Sequence, residues 1–331
     1  MLAVLAGCRV TPGTPHERHG DEIFAAGEMF RTGTPVVPWL DAEGYDAYRV
    51  NARFRPYEHS HWDAIKDDMP SWASPNRYNL REDRFHRDTP PLSEQQIEAV
   101  RHGRWELEEL QEVVDQFVIH YDVCGVSRYT FEVLHDKRAL SVHFMLDVDG
   151  TIYQTLDLQE RAWHAGKANS RSIGIEIANI GAYPPDASNN PLDEWYLSDA
   201  DGEVRIAIPE ARGEPRTPGF VARPTRREPV VGQIHGRTLE QYDLTDEQYE
   251  ALARLTATLA EIFPKLELQA PRDEEGRVRT DVLTDDEYER FSGLIAHWHL
   301  TENKIDPGPA FDWDRVIHEA RRLRGERHRR P

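Results

Sequence analysis

Apolar residues are spread unevenly along the chain, and the change in their spacing divides it. Residues 9–92 are rich in Pro, Gly, Arg, Asp and His with few periodic apolar stretches. They read as a tether over Thr11–Gly20 and then a loop-rich extension, in which Val36–Leu40, Tyr45 and Tyr48 could pack against the rest. From Ser93 the pattern becomes regular. Ser93-Glu94-Gln95-Gln96 is a capping box, with Ile97, Val100, Leu107 and Leu110 following at roughly helical spacing. Phe117–His120 predicts a short buried strand, and a helix is expected around Thr130–His135. Ser141–Asp147 and Thr151–Leu156 predict two strands joined by the turn Asp147-Val148-Asp149-Gly150. Ser172–Ala178 reads as a central strand.

Beyond that strand the text is irregular over residues 182–240, with one hairpin expected around Asp199–Gly202, and this stretch is taken as an insertion. Loops at strand ends shape binding sites, so it is expected to form a flap or wall beside a cleft. Thr245-Asp246-Glu247-Gln248 opens a helix with Tyr249, Leu252, Thr256, Leu259 and Phe263 on one face. A second insertion covers residues 267–281. A short helix starts at Thr284, a last strand covers Gly293–His299, and a terminal helix runs from Asp312 to about Arg324. Strands alternating with helices predict an α/β domain over residues 93–331, with a central mixed β-sheet flanked by helices.

Composition narrows the function. In 331 residues, 59 acidic side chains outweigh 40 basic ones, for a formal net charge of -19. A net negative field repels phosphate backbones, so nucleic acid is not an expected partner. No apolar run reaches the length of a membrane span. The two cysteines, Cys8 and Cys124, make neither a disulfide framework nor an all-cysteine zinc site. A metal would have to be held by His and carboxylates. Leu5-Ala6-Gly7-Cys8 resembles the lipobox of bacterial lipoproteins, and the resemblance implies that residues 1–8 would be the end of a lipoprotein signal starting upstream. The expectation is a cell-envelope location, with membrane contact only through a lipid anchor at Cys8.

Position singles out a few of the 15 histidines. His120 ends a buried strand, His297 sits near the end of another, and Asp306 lies in the turn Lys304-Ile305-Asp306-Pro307-Gly308-Pro309. Two imidazoles and a carboxylate suit a catalytic zinc with an open fourth position. Glu176 stands in an otherwise apolar strand, where a buried unpaired carboxylate is costly unless a metal or partner compensates it. Cys124, with no partner Cys, reads as a small buried hydrophobe. His143 reads as packed against the sheet, and Trp163 and Trp313 could simply be core.

The local strings carry a resemblance. They are Val118-Ile119-His120-Tyr121, Ser141 to Gln154, Arg161-Ala162-Trp163-His164-Ala165-Gly166, Ser172-Ile173-Gly174-Ile175-Glu176, and His297 with Lys304 to Trp313. Five motifs in this order over about 200 residues resemble the type 2 N-acetylmuramoyl-L-alanine amidases, a zinc fold shared with T7-phage lysozyme and peptidoglycan recognition proteins. The resemblance implies one Zn2+ on His120, His297 and Asp306, with Glu176 and Lys304 catalytic. Arg161, Trp163 and His164 would help line the substrate cleft. The implied reaction is hydrolysis of the amide between the lactyl group of N-acetylmuramic acid and L-alanine, in peptidoglycan or a muropeptide, by a monomer. The alternative is a module of the same fold that binds peptidoglycan without cutting it. Ala296 replaces the glycine that usually precedes the second His ligand, and the stretch to Asp306 is one residue short. That leaves His299, on the same face of the expected strand as His297, as the other candidate ligand.

Overall fold

A computed structural model describes residues 13, 17–85, 91–188 and 190–325. The lipobox at Leu5–Cys8 and most of the tether lie outside the described residues. No helix among the described residues is long and apolar enough to cross a membrane.

The centre is a six-stranded mixed sheet. Its strands in chain order are β1 (Val36–Pro38), β2 (Gln116–Tyr121), β3 (Phe144–Leu146), β4 (Ile152–Gln154), β5 (Ser172–Ile177) and β6 (Gly293–Ala296). Their spatial order is β6-β2-β5-β3-β4-β1. Only the β3–β4 hairpin is antiparallel, and every other neighbouring pair is parallel. Parallel strands are buried on both faces, which is why β2 and β5 read as near-continuous apolar runs rather than alternating ones. One face carries Phe117, Ile119, Ile173, Ile175 and Leu294. It packs under the helix Asp246–Ile262 and the terminal helix Trp313–Leu323.

All three Ser/Thr capping boxes form: at Ser93, Thr245 and Thr284 the side chain accepts from the N3 backbone N–H and the N3 side chain answers. The helix expected near Thr130 begins at Ser127 and continues as a wider π-helical turn through Lys137. The hairpin expected around Asp199–Gly202 pairs Tyr196–Ser198 with Val204–Ile206.

The N-terminal extension is woven into this domain. Val36–Pro38 supplies the outer strand, parallel to β4. Two of its arginines, Arg77 and Arg81, are fully buried. Arg81 donates to the carbonyls of Leu158 at 2.8 Å and Ser172 at 2.9 Å, so the terminal nitrogens of a buried guanidinium find partners in the backbone of the sheet domain.

Candidate metal centre and cleft

Half of the site is written in the register of two strands. On the parallel pair β2–β5, His120 lies opposite Glu176. Both therefore project from the face opposite the helix-covered core, because side chains alternate along a strand. His120 is buried. Burial, and next the neighbouring His297, pulls its pKa down to about 4, so the ring is neutral and able to ligate. Glu176 is half-buried, and its Oε2 is a buried oxygen with no hydrogen-bond partner. Burial first, then the charges of Asp306 and Asp122, hold its pKa well above the ordinary carboxyl value.

The other half comes from the chain after β6. The expected strand over Gly293–His299 is shorter than the pattern suggested: it stops at Ala296, and His297–His299 form a 3-10 turn. That turn separates the two candidate histidines. His297 Nδ1 lies 3.0 Å from Asp306 Oδ2, and His120 Nδ1 lies 2.7 Å from the same oxygen. The two imidazoles stand nearly perpendicular, with centroids 4.5 Å apart. His299 points elsewhere. Its Nδ1 accepts from the Ala296 N–H at 2.9 Å, and its Nε2 is 2.8 Å from the Arg279 carbonyl, which also accepts from Trp298 Nε1 at 3.0 Å. Both ring nitrogens of His299 are occupied in structure.

Potential ligand atoms of His120, His297 and Asp306 all lie within 4.8 Å of one another. Burial opposes ionisation of Asp306, but His297 and His120 outweigh it and hold the carboxyl below its usual range. Two imidazole nitrogens and one carboxylate oxygen converging at a cleft, beside the unpartnered oxygen of Glu176, match the donor chemistry and open position of a catalytic zinc site.

The cleft has a volume of about 470 Å3. Lys304, Trp163 and His164 all line it, as do Asp122, Val123, Cys124, Arg138 and Trp72. His164 lies against the sheet where Gly174 has no side chain; a Cβ there would sit 2.4 Å from the ring. Its Nδ1 is 3.0 Å from His120 Nε2. His143 packs on the same strand, accepting from the Gly174 N–H at 3.1 Å. Arg161 does not line the cleft. Its guanidinium donates to Ser170 Oγ at 2.9 Å and Asn79 Oδ1 at 3.2 Å, and pairs with Asp83. Trp313 is buried against Trp298 and Phe311.

No described residue of 182–240 is among those lining this cleft; the segment touches it from outside, where Trp195 packs on Gly125, next to the lining residue Cys124. The hairpin that closes the segment, Val230–Ile234 with Arg237–Gln241, braces the loop carrying Asp306. Gln241 donates to the Pro307 carbonyl at 3.0 Å and accepts from the Ala310 N–H at 3.0 Å. Gly308, at φ +85°, lets Gln241 approach so closely that a Cβ would meet its Oε1 at 2.1 Å. His235 Nε2 lies 3.1 Å from the Lys304 carbonyl. Sequence reasoning missed Gln241, Asn79 and Trp72, because each reaches the site from a segment outside the motifs.

Fold and site together define an α/β protein with a two-histidine, one-aspartate cluster beside a half-buried glutamate at the end of a parallel strand pair. The chain belongs to the N-acetylmuramoyl-L-alanine amidase family (Amidase_2), whose family model matches residues 110–309. Among solved structures it is similar to the amidase AmiD from E. coli, in complex with the substrate anhydro-N-acetylmuramic acid-L-Ala-D-gamma-Glu-L-Lys. Identity there is 18%, coverage 62% of this chain and 57% of that one, and the TM-score 0.34. A selenomethionine derivative of AmpD gives 19% identity, 76% and 92% coverage, and a TM-score of 0.30. The endolysin amidase LysCS from Clostridium intestinale URNW gives 13%, 63% and 85%, and 0.32. The match therefore spans little more than half of the AmiD chain. No curated protein matches the sequence.

Proposed function

We propose that the protein hydrolyses the amide between the lactyl group of N-acetylmuramic acid and L-alanine of the stem peptide, using one zinc ion on His120, His297 and Asp306. The observation that carries this is the meeting of Asp306 Oδ2 with both imidazoles, at 2.7 and 3.0 Å, next to the Glu176 strand position. All of these groups come from one chain, so the site needs no second copy.

When bound, zinc supplies Lewis acidity: it polarises a carbonyl and makes a water molecule more acidic. The remaining chemistry belongs to the chain. Glu176 takes a proton as water adds to the lactyl carbonyl carbon. It returns that proton to the alanine nitrogen as the C–N bond breaks, leaving a carboxylic acid and a free amine. Its raised pKa makes it the stronger base for the first transfer, and its free Oε2 has no competing partner to release. Lys304, exposed at the cleft, offers its ammonium to the carbonyl oxygen as negative charge develops there. Trp163 and His164 wall the cleft, while Arg161 acts indirectly, by fixing Asn79. Mass spectrometry of purified sacculi and of anhydro-muropeptide treated with the zinc-loaded protein tests this. Free stem peptides starting at L-alanine are the expected product, and intact muropeptides throughout would refute the activity.

We also propose an envelope location through lipidation of Cys8, supported by Leu5-Ala6-Gly7-Cys8 and the following tether. Two or more acyl chains anchor stably, so the native protein should stay with washed membranes, and Cys8→Ser should release it. Recovery of the unsubstituted protein wholly in the soluble fraction would sink this.

A further inference from the structure

Trp72 lines the metal-ligand cleft yet leaves 52% of its surface exposed. It lies outside residues 110–309, the part matched by the family model. It occupies the third position of the turn Pro70–Ala73, closed by the Ala73 N–H donating to the Pro70 carbonyl at 2.9 Å. The chain that follows is firmly held. The buried Arg77 guanidinium donates to the carbonyls of Val50 at 2.9 Å and His135 at 3.3 Å. Asn79 pairs with Arg161 in a short antiparallel ladder, and its Oδ1 accepts from Trp163 Nε1 at 3.1 Å. One anchored segment thus displays Trp72 and orients Trp163 in the same cleft.

An indole held half in solvent on a closed turn, five residues before the buried Arg77, keeps apolar surface open at the cleft. Such a surface suits a flat ligand with a row of C–H groups, which a pyranose ring offers and a charged stem peptide does not. We propose that Trp72 is a glycan platform, stacking on the sugar next to the muramyl unit whose lactyl amide is cut, so that the preferred substrate carries at least a disaccharide. This rests on the amidase reading above.

The test compares the zinc-loaded wild type, Trp72→Ala and Trp72→Phe on two substrates with the same stem peptide: a disaccharide muropeptide and a muramyl-peptide monosaccharide. The wild type should have the lower KM on the disaccharide. Trp72→Ala should raise that KM by about tenfold, the scale of one aromatic stacking contact, with little change in kcat, and so erase the preference. Trp72→Phe should recover part of it. Equal wild-type KM values, a Trp72→Ala enzyme that keeps the disaccharide preference, or an equal rise on both substrates would each overturn the platform. A wild type that cleaves neither substrate would instead bring down the amidase reading itself.

Discussion

The two halves of the site are built by different means. His120 and Glu176 sit opposite each other on hydrogen-bonded parallel strands, so their relation is a consequence of sheet register. A one-residue slip of either strand would turn its own residue away from the other, and the apolar residues beside them, Ile119 and Ile175, forbid it. His297, Lys304 and Asp306 belong to a 3-10 turn and a loop with no ladder to hold them. Their geometry depends on Gln241, His235 and the Arg279 carbonyl, which reach in from two segments far away in sequence. The strand half should tolerate changes at its periphery, whereas the loop half should be sensitive to residues that never touch a ligand.

The largest effect should come from the strand half, through chemistry rather than geometry. Glu176→Ala removes the proposed proton carrier but none of the three proposed zinc ligands. Turnover should fall by roughly 10²–10⁴-fold while zinc content stays at one per chain, measured by product formation beside metal analysis. Loss of zinc in this variant would make Glu176 a ligand and merge the two halves.

Gln241→Ala probes the loop half at a distance. It strips partners from the Pro307 carbonyl and the Ala310 N–H, both held by a buried side chain. Unsatisfied buried groups cost about 1–3 kcal/mol each. The Asp306 loop should loosen, with zinc affinity falling by about tenfold or more, as when supporting partners of a metal site are removed. Zinc titration against a competing chelator reads this directly. Affinity equal to the wild type would mean that the loop stands without its brace.

The same contrast explains what could be read in the sequence. Capping boxes at Ser93, Thr245 and Thr284, and the strands carrying His120 and Glu176, are local or periodic signals, and the structure follows them. The strand Val36–Pro38 is three residues long, ends in proline and pairs with a partner over 110 residues away, so no local period marks it. The hairpin Val230–Gln241 turns at His235 and Gly236, both with positive φ; a histidine there gives none of the Asn-Gly or Asp-Gly signal of a two-residue turn. The apolar run Gly293–His299 looks like one strand. It breaks at His297 where Trp298 and His299 both turn to the Arg279 carbonyl, a tertiary partner that overrides the pattern.

His299 gives a pH-dependent way to sharpen the point. Burial drives its pKa, like that of His143, down to about 3. The unfolded chain takes up protons near pH 6.5 and the folded chain refuses them, so stability is full above that value and declines as pH falls from about 6.5 towards 3. Thermal unfolding of the metal-free protein should show Tm dropping across this window. His299→Asn should flatten the slope, and in the zinc-loaded protein it should keep the metal. Zinc loss in His299→Asn with retention in His297→Asn would reverse the ligand assignment.

The smallest effect lies just past the strand half, at Val123. It has φ +56°, a left-handed conformation costly for a β-branched residue, and lies 46% exposed on the cleft rim. Left-handed backbone costs an ordinary L-residue roughly 1–2 kcal/mol, whereas glycine gives back about 0.5–1 kcal/mol in unfolded-state entropy. Little burial is at stake, so Val123→Gly should gain up to about 1 kcal/mol, raising Tm by roughly 2 °C for a chain of this size. If the strain serves to present the isopropyl group to substrate, the same variant should have a higher KM. A Tm below the wild type would mean that the Val123 side chain makes compensating contacts, and that the end of the strand is as unstrained as its register.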